Sequence, residues 1–168
     1  FNRSYYEETL VVRVHPEFLE KQRLPRELST DRMWDHRFED IRNWEKYLTR
    51  NGTVIRKFFL HVSKDEQKRR FLARLEEPEK NWKFSANDVK ERALWDDYQR
   101  AYEDMLGATS TAYAPWHVIP ADNKWFTRAM VANIIVGKLE SLKLNYPELD
   151  DSRLRALQNA RKILKEED

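Results

Sequence analysis

An α/β fold with a mostly parallel sheet is the architecture this sequence predicts, on three observations. Helical patterns and short apolar runs alternate in the order helix, strand, helix, helix, strand, helix, helix. The two clear strands, residues 58–62 and 116–119, are separated by helices, and strands joined in that way need crossover connections that set them parallel. The first of them, FFLHV, is a short continuous apolar run, as in strands buried on both faces.

Along the chain, residues 1–14 (FNRSYYEETLVVRV) open polar and turn apolar, a pattern that fits a strand or a buried helix equally. His15, Pro16 and Pro25 bracket a loop-like basic stretch. From Asp31 a helix is predicted, because Trp34, Phe38, Ile41, Trp44 and Leu48 recur at spacings of three and four. Asn51 and Gly52 end it, since glycine tolerates the left-handed conformation after a helix. Ser63 then caps a second helix, with Glu66 completing a capping box and Phe71, Leu72 and Leu75 facing inward, up to the stop before Pro78. Ser85 and Asp88 repeat the capping signature for a helix carrying Val89, Leu94, Trp95, Tyr98, Tyr102 and Met105 that stops at Gly107. Residues 109–114 are a polar loop, and the second strand ends at Pro120. Residues 125–142 form a long apolar helix, including the core-like ANIIVGKL of residues 132–139. Tyr146 and Pro147 break it, and residues 152–167 make a last amphipathic helix with Leu154, Leu157 and Leu164.

The 168 residues predict one domain, and 40% apolar residues with six Trp, seven Tyr and eight Phe suffice for a sizeable core rather than a disordered chain. With no Cys, a disulfide framework, a thiolate metal site and a cysteine nucleophile are excluded, and a reducing cytoplasm is suited. No apolar run is long enough to span a membrane. The charges nearly cancel to +2, which argues against a dedicated nucleic-acid-coating protein. The three glycines, Gly52, Gly107 and Gly137, lie far apart, so no glycine-rich phosphate loop or dinucleotide fingerprint can be assembled. His15, His36, His61 and His117 have no metal-ligand spacing, and no nucleophile-elbow pattern is present. Two parallel strands are a poor sheet alone, so the chain reads as the latter part of a larger α/β domain. Its start at Phe1 rather than Met gives the same expectation. An unpaired hydrophobic sheet edge would then favour pairing with a second copy.

The strongest local feature is KRRFLAR at residues 68–74, followed by Lys80, Trp82 and Lys83. Arg70 and Arg74, four apart, project from one helical face, where like charges repel by a few tenths of a kcal/mol. Guanidinium groups offer paired donors that suit phosphate, and Lys80 and Lys83 add point charges. The competing reading is a solvated helix face partly neutralised by Glu66 and Glu77, with Trp82 and Phe84 as packing.

Residues 70–106 (RFLARLEEPEKNWKFSANDVKERALWDDYQRAYEDML) and 109–135 (TSTAYAPWHVIPADNKWFTRAMVANII) closely resemble the polyphosphate kinase 2 family. Arg70–Phe71, Arg74, Pro78, Lys80, Trp82–Lys83, Ser85, Asp88, Arg92, Trp95, Ala114-Pro115-Trp116, Ala121–Asp122, Lys124 and Arg128 carry the match, and FNRSYY at residues 1–6 resembles the region of the family's Walker B motif. The resemblance implies a P-loop-kinase-like three-layer α/β/α sandwich with a helical lid over residues 64–107. It implies phosphate transfer between inorganic polyphosphate and nucleotides such as AMP or ADP, with magnesium. By the same resemblance Arg74 sits against the transferring phosphate and Arg3 contacts phosphate from the other wall, near the metal, while Arg70, Lys80, Lys83 and Arg92 line the polyphosphate path. Asn2 stands where many members carry a magnesium-binding Asp, and Glu7 is a nearby carboxylate. The family's Walker A loop is expected upstream of Phe1. Without it this chain is expected to be a poor catalyst by itself, so a non-catalytic polyphosphate-binding or interaction module is the alternative. Full-length members are oligomeric, which again implies a dimer.

Overall fold

The computed structural model describes residues 4–25 and 32–167. Two compact units are present, Phe1–Ala132 and Asn133–Asp168. In the first unit, α1 (Glu7–Val14) and α2 (Glu17–Lys21) precede the long α3 (Met33–Arg50) and the strand β1 (Lys57–His61). The crossover to β2 (Trp116–Pro120) holds α4 (Lys64–Glu76), a 3-10 turn (Pro78–Lys83), α5 (Ala86–Ala93) and α6 (Trp95–Thr109). From β2 the chain enters α7 (Lys124–Ser141), whose later turns belong to the second unit with α8 (Asp151–Glu166).

The strands pair in parallel, with Lys57 opposite Trp116 and His61 opposite Pro120. Within the ambiguous N-terminal stretch Glu7–Val14 is a helix, because Tyr6, Thr9 and Val12, three apart, fall on one buried face. Tyr6, Phe38, Ile41 and Met105 form the core, joined by Leu10, Trp34, Tyr102 and Trp116. Gly52 ends α3 at φ +88°, as its position predicts.

Several burial expectations are overturned. The buried stripe of α3 runs from Phe38 and Ile41 to Glu45, while Trp44 is 50% exposed and stacks on Tyr47 at 5.8 Å. The strands are not buried on both faces: Lys57 and Ile119 are buried, but Leu60 and Val118 are half exposed. In α4, Phe71 is half-buried but Leu72 and Leu75 are exposed, since that helix leans mainly on the 3-10 turn rather than on the sheet. The single helix expected from Ser85 to Gly107 is two, broken at Leu94, and the second runs past Gly107 to Thr109. Residues 132–139 are helical, yet Ile135, Val136 and Leu139 are exposed rather than core. In the second unit α8 is capped by Asp150, whose Oδ1 accepts from the Arg153 amide at 2.8 Å, and its leucines face solvent.

A buried polar network joins the N-terminal segment to the sheet. The Lys57 ammonium donates to Glu45 Oε1 (2.9 Å) and Oε2 (2.7 Å), to the Tyr6 hydroxyl (2.7 Å) and to the Thr109 carbonyl (2.9 Å). The Tyr5 and Tyr6 hydroxyls donate to Glu45 Oε1 at 2.9 and 2.6 Å. The ammonium also lies over the Tyr6 and Trp116 rings, at 5.3 and 5.1 Å. Burial pushes the Lys57 pKa down, and Glu45 opposes that shift. Burial and the Glu45 carboxylate both push the two tyrosines up, so both remain donors.

Candidate functional site: a cationic cleft at the strand ends

In parallel sheets the carboxyl ends of the strands are where loops converge on ligands. Here the turn after β1 is tied to the turn after β2: the Ser63 amide donates to Asp122 Oδ1 at 2.7 Å, which holds the Asp122 pKa low. Ser63 caps α4 as its sequence position predicts, its Oγ accepting from the Glu66 amide at 3.1 Å. The capping box is only half formed, because Asp122 takes the amide that the Glu66 carboxylate was expected to receive.

Glu66 is instead the support for two guanidinium groups. Arg69 donates to it through Nε and Nη2, both at 2.6 Å, and Arg70 through Nε at 2.7 Å. Arg70 Nη2 also donates to the Ala121 carbonyl at 2.7 Å, which pins α4 to the end of β2. The hydrogen bonds from Arg69 and then Arg70 lower the Glu66 pKa to about 2. A lowered carboxyl contributes stability that is complete above its ordinary value of 4.5 and is lost as the pH falls through about 2. A carboxyl NMR titration is therefore expected to find Glu66 ionised at pH 3.5. A midpoint in the ordinary glutamate range would show that the two arginines do not engage it.

Asn81 fixes the other end of α4 by donating to the Arg74 and Leu75 carbonyls at 2.7 and 3.0 Å. That places the 3-10 turn and its lysines beside the helix. The result is a cleft of about 310 Å³ lined by Arg69, Arg70, Ala73, Arg74, Glu77, Lys80, Lys83 and Lys124. Six of these eight side chains are cationic and one is a carboxylate. Lys80 pairs with Glu77. Arg74 lies over the Phe71 ring at 5.5 Å and only 3.8 Å from Asp88 Oδ2. Lys83 sits over Trp82, 5.0 Å from its centroid, and neither Lys83 nor Lys124 has a carboxylate partner among the described residues. Cations gathered in a concave site raise the local concentration of anions, and an anion relieves their mutual repulsion.

The structure thus gathers Arg70, Arg74, Lys80 and Lys83, as expected, and adds Arg69 and Lys124. Arg69 lay in the basic run without being singled out. Lys124 was named only among the residues of the family match and not with the basic run, since only the pairing of β1 with β2 brings it to α4. Arg92 is elsewhere. Its Nη1 donates to the Lys64 carbonyl (2.7 Å) and Gln67 Oε1 (2.8 Å), beside a second cleft of about 370 Å³ lined by Phe71, Trp95, Tyr98 and Tyr102. Glu7 opens α1, where its charge adds to the upward shift of Tyr98. Asn2 and Arg3 lie outside the described residues. No group of three or more His, Asp or Glu side chains comes together to hold a metal ion among the described residues, so these residues alone do not fit a protein-built magnesium cage. No helix among them is long and apolar enough to cross a membrane.

The family profile described as polyphosphate kinase 2 matches residues 1–147. An ADP-polyphosphate phosphotransferase of Rhodopseudomonas palustris is 52% identical over 165 residues, which is 98% of this chain and 57% of that protein. An AMP/ADP-polyphosphate phosphotransferase of Meiothermus ruber is 47% identical over 148 residues, 88% of this chain and 51% of its own length. The crystal structure of polyphosphate kinase 2 from Arthrobacter aurescens superposes with a TM-score of 0.79 at 41% identity, covering 95% of this chain and 53% of the solved one. The chain therefore spans little more than half the length of these relatives.

Proposed function

Because the chain belongs to the polyphosphate kinase 2 family, we propose that it takes part in phosphoryl transfer between inorganic polyphosphate and a nucleotide, with the cleft around Arg74 as its grip on the polymer. The observation that carries this reading is the gathering of six cationic side chains at the carboxyl ends of two parallel strands. Polyphosphate has no base, ring or apolar face, so charge and the geometry of its oxygens are all that a protein can recognise. Arginine suits those oxygens because its planar fork gives two parallel hydrogen bonds.

In this reading Arg74, the arginine with the loosest carboxylate contact, faces the transferring phosphate together with Arg3. Arg70, Lys80 and Lys83 hold the neighbouring phosphates, joined by Arg69 and Lys124. Arg92 acts through α4 rather than on the polymer. Residues 64–107 move as a lid in a P-loop-kinase-like α/β/α sandwich, and a second copy of the chain is the expected protein partner. Magnesium would neutralise phosphate charge, with Asn2 and Glu7 as the amide and carboxylate that the family resemblance offers it.

Phosphoryl transfer depends on holding both reactants and neutralising the group that moves. The chain contains no glycine-rich phosphate loop. Its purified form is therefore expected to bind polyphosphate but to make little ATP from polyphosphate, ADP and magnesium. Calorimetry gives the first quantity and a luciferase assay the second. Rapid turnover would show that these residues suffice for catalysis. Absence of polyphosphate binding at low salt, or its ready displacement by duplex DNA, would remove the proposed grip.

A further inference from the structure

His15 stands at the corner between α1 and α2, with its side chain 17% exposed and both ring nitrogens engaged. Nδ1 lies 3.1 Å from Glu17 Oε1 on α2, and Nε2 lies 2.9 Å from Glu91 Oε2 on α5. Glu91 is held in turn by the Tyr98 hydroxyl of α6 at 2.8 Å and by Asn87 Nδ2 at 3.3 Å. The ring stacks on Phe18 at 5.4 Å and meets Tyr98 edge-on at 6.4 Å. Among the described residues, His15 is the side chain that hydrogen-bonds the α1–α2 corner to α5.

We propose that His15 and Glu91 form a pH-sensitive latch that holds α5 against the α1–α2 corner and so positions the arm made of α4 and α5. The chemistry follows from the number of N–H groups on the ring. An imidazolium has two and can donate to Glu17 and Glu91 at once; a neutral imidazole has one, and turns a lone pair toward the other carboxylate. Loss of one proton therefore breaks one of the two bonds. The charged and titratable groups that meet the ring are Glu17 and Glu91, with the Tyr98 phenol behind Glu91. The Tyr98 pKa is raised, chiefly by burial and by Glu91, so it stays a neutral donor. Hydrogen bonds donated to Glu91 and to Glu17 outweigh burial and raise the His15 pKa, so the latch is closed below the ordinary histidine range and opens as the pH rises through the raised value.

The arm matters because Arg92 couples α5 to α4 through Lys64 and Gln67, and α4 also carries Arg69, Arg70 and Arg74 into the cationic cleft. The consequence for polyphosphate rests on the function proposed above; the latch itself does not. Hydrogen exchange of the α5 amides, corrected for intrinsic rates, tests it at pH 5.5 and pH 9. Protection of residues 86–93 is expected to fall about tenfold in the wild type, the size of one partly exposed charge-assisted hydrogen bond, while α6 is unchanged. His15→Gln and Glu91→Gln chains are expected to be loose at both pH values, and His15→Lys, which keeps its charge, to be protected at both. Equal wild-type protection at the two pH values, or a His15→Gln chain that keeps the wild-type drop, would overturn the latch. Polyphosphate calorimetry at the same two pH values separates the two claims, since failure to bind at either would remove the proposed function and leave the exchange result standing.

Discussion

Replacing Glu45 by alanine is expected to cost about 3–5 kcal/mol, the penalty for breaking a buried ion pair from one side. That is a large share of the roughly 5–15 kcal/mol that holds a typical domain together. The carboxylate is fully buried and accepts from Lys57, Tyr5 and Tyr6. Its removal leaves a buried ammonium with the Tyr6 hydroxyl and the Thr109 carbonyl as neutral partners and strands the buried Tyr6 donor. The damage spreads because the network joins four places in the sequence: residues 5 and 6, α3, the start of β1 and the end of α6. Denaturant unfolding gives the measurement, with an unchanged midpoint counting against the network as a structural hub. A Glu45→Leu, Lys57→Met double variant provides the control. Replacing both charges by apolar side chains of similar size avoids the orphaned ion and is expected to be far milder than either single change. A double variant as damaged as the singles would mean that shape rather than charge pairing holds this site.

A chain carrying Arg74→Gln, Lys83→Gln and Lys124→Gln together is expected to bind polyphosphate about a hundredfold more weakly at low salt. The estimate takes roughly 1 kcal/mol for each partly exposed charge-assisted contact. These three contribute little to the fold. Arg74 is 3.8 Å from its nearest carboxylate, and the two lysines have none among the described residues. Arg70 and Arg69 are poorer probes because Glu66 and the end of β2 use their guanidinium groups structurally. A polyanion releases counterions when it is bound, so affinity also falls with salt, and each neutralised cation is expected to reduce the slope of log K against log salt by about one. Unchanged affinity with an unchanged salt slope would place the polymer elsewhere on the molecule. An Arg92→Gln chain should keep the wild-type slope, since that guanidinium is held by the Lys64 carbonyl and Gln67 and lines the second cleft instead.

The two results would test different levels of legibility. Ser63 and Ser85 could be read as helix caps, and Gly52 as a helix stop, because each depends on residues within four positions. The Arg70/Arg74 pair could be read as one face of a helix for the same reason. The exchange of roles between Trp44 and Glu45 could not. Helical periodicity offered a tryptophan at one position and a charge at the next, and only the ammonium waiting at Lys57 made burial of the carboxylate favourable. The half exposure of Leu60 and Val118 is not legible in the sequence, because an apolar run says what a strand could bury, not what covers it.

What the residues determined by themselves was local: helices, caps, turn positions, the spacing of cations on α4, and the motifs that identify the family. The tertiary structure alone decided that Lys124 joins those cations, that Arg92 leaves them, that Glu45 lies inside, and that His15 meets Glu91. Each of these depends on the parallel pairing of β1 with β2 or on the return of α5 and α6 to α1. Contacts of that range form only when the whole chain offsets the entropy of closing its loops, so no short window of sequence contains them.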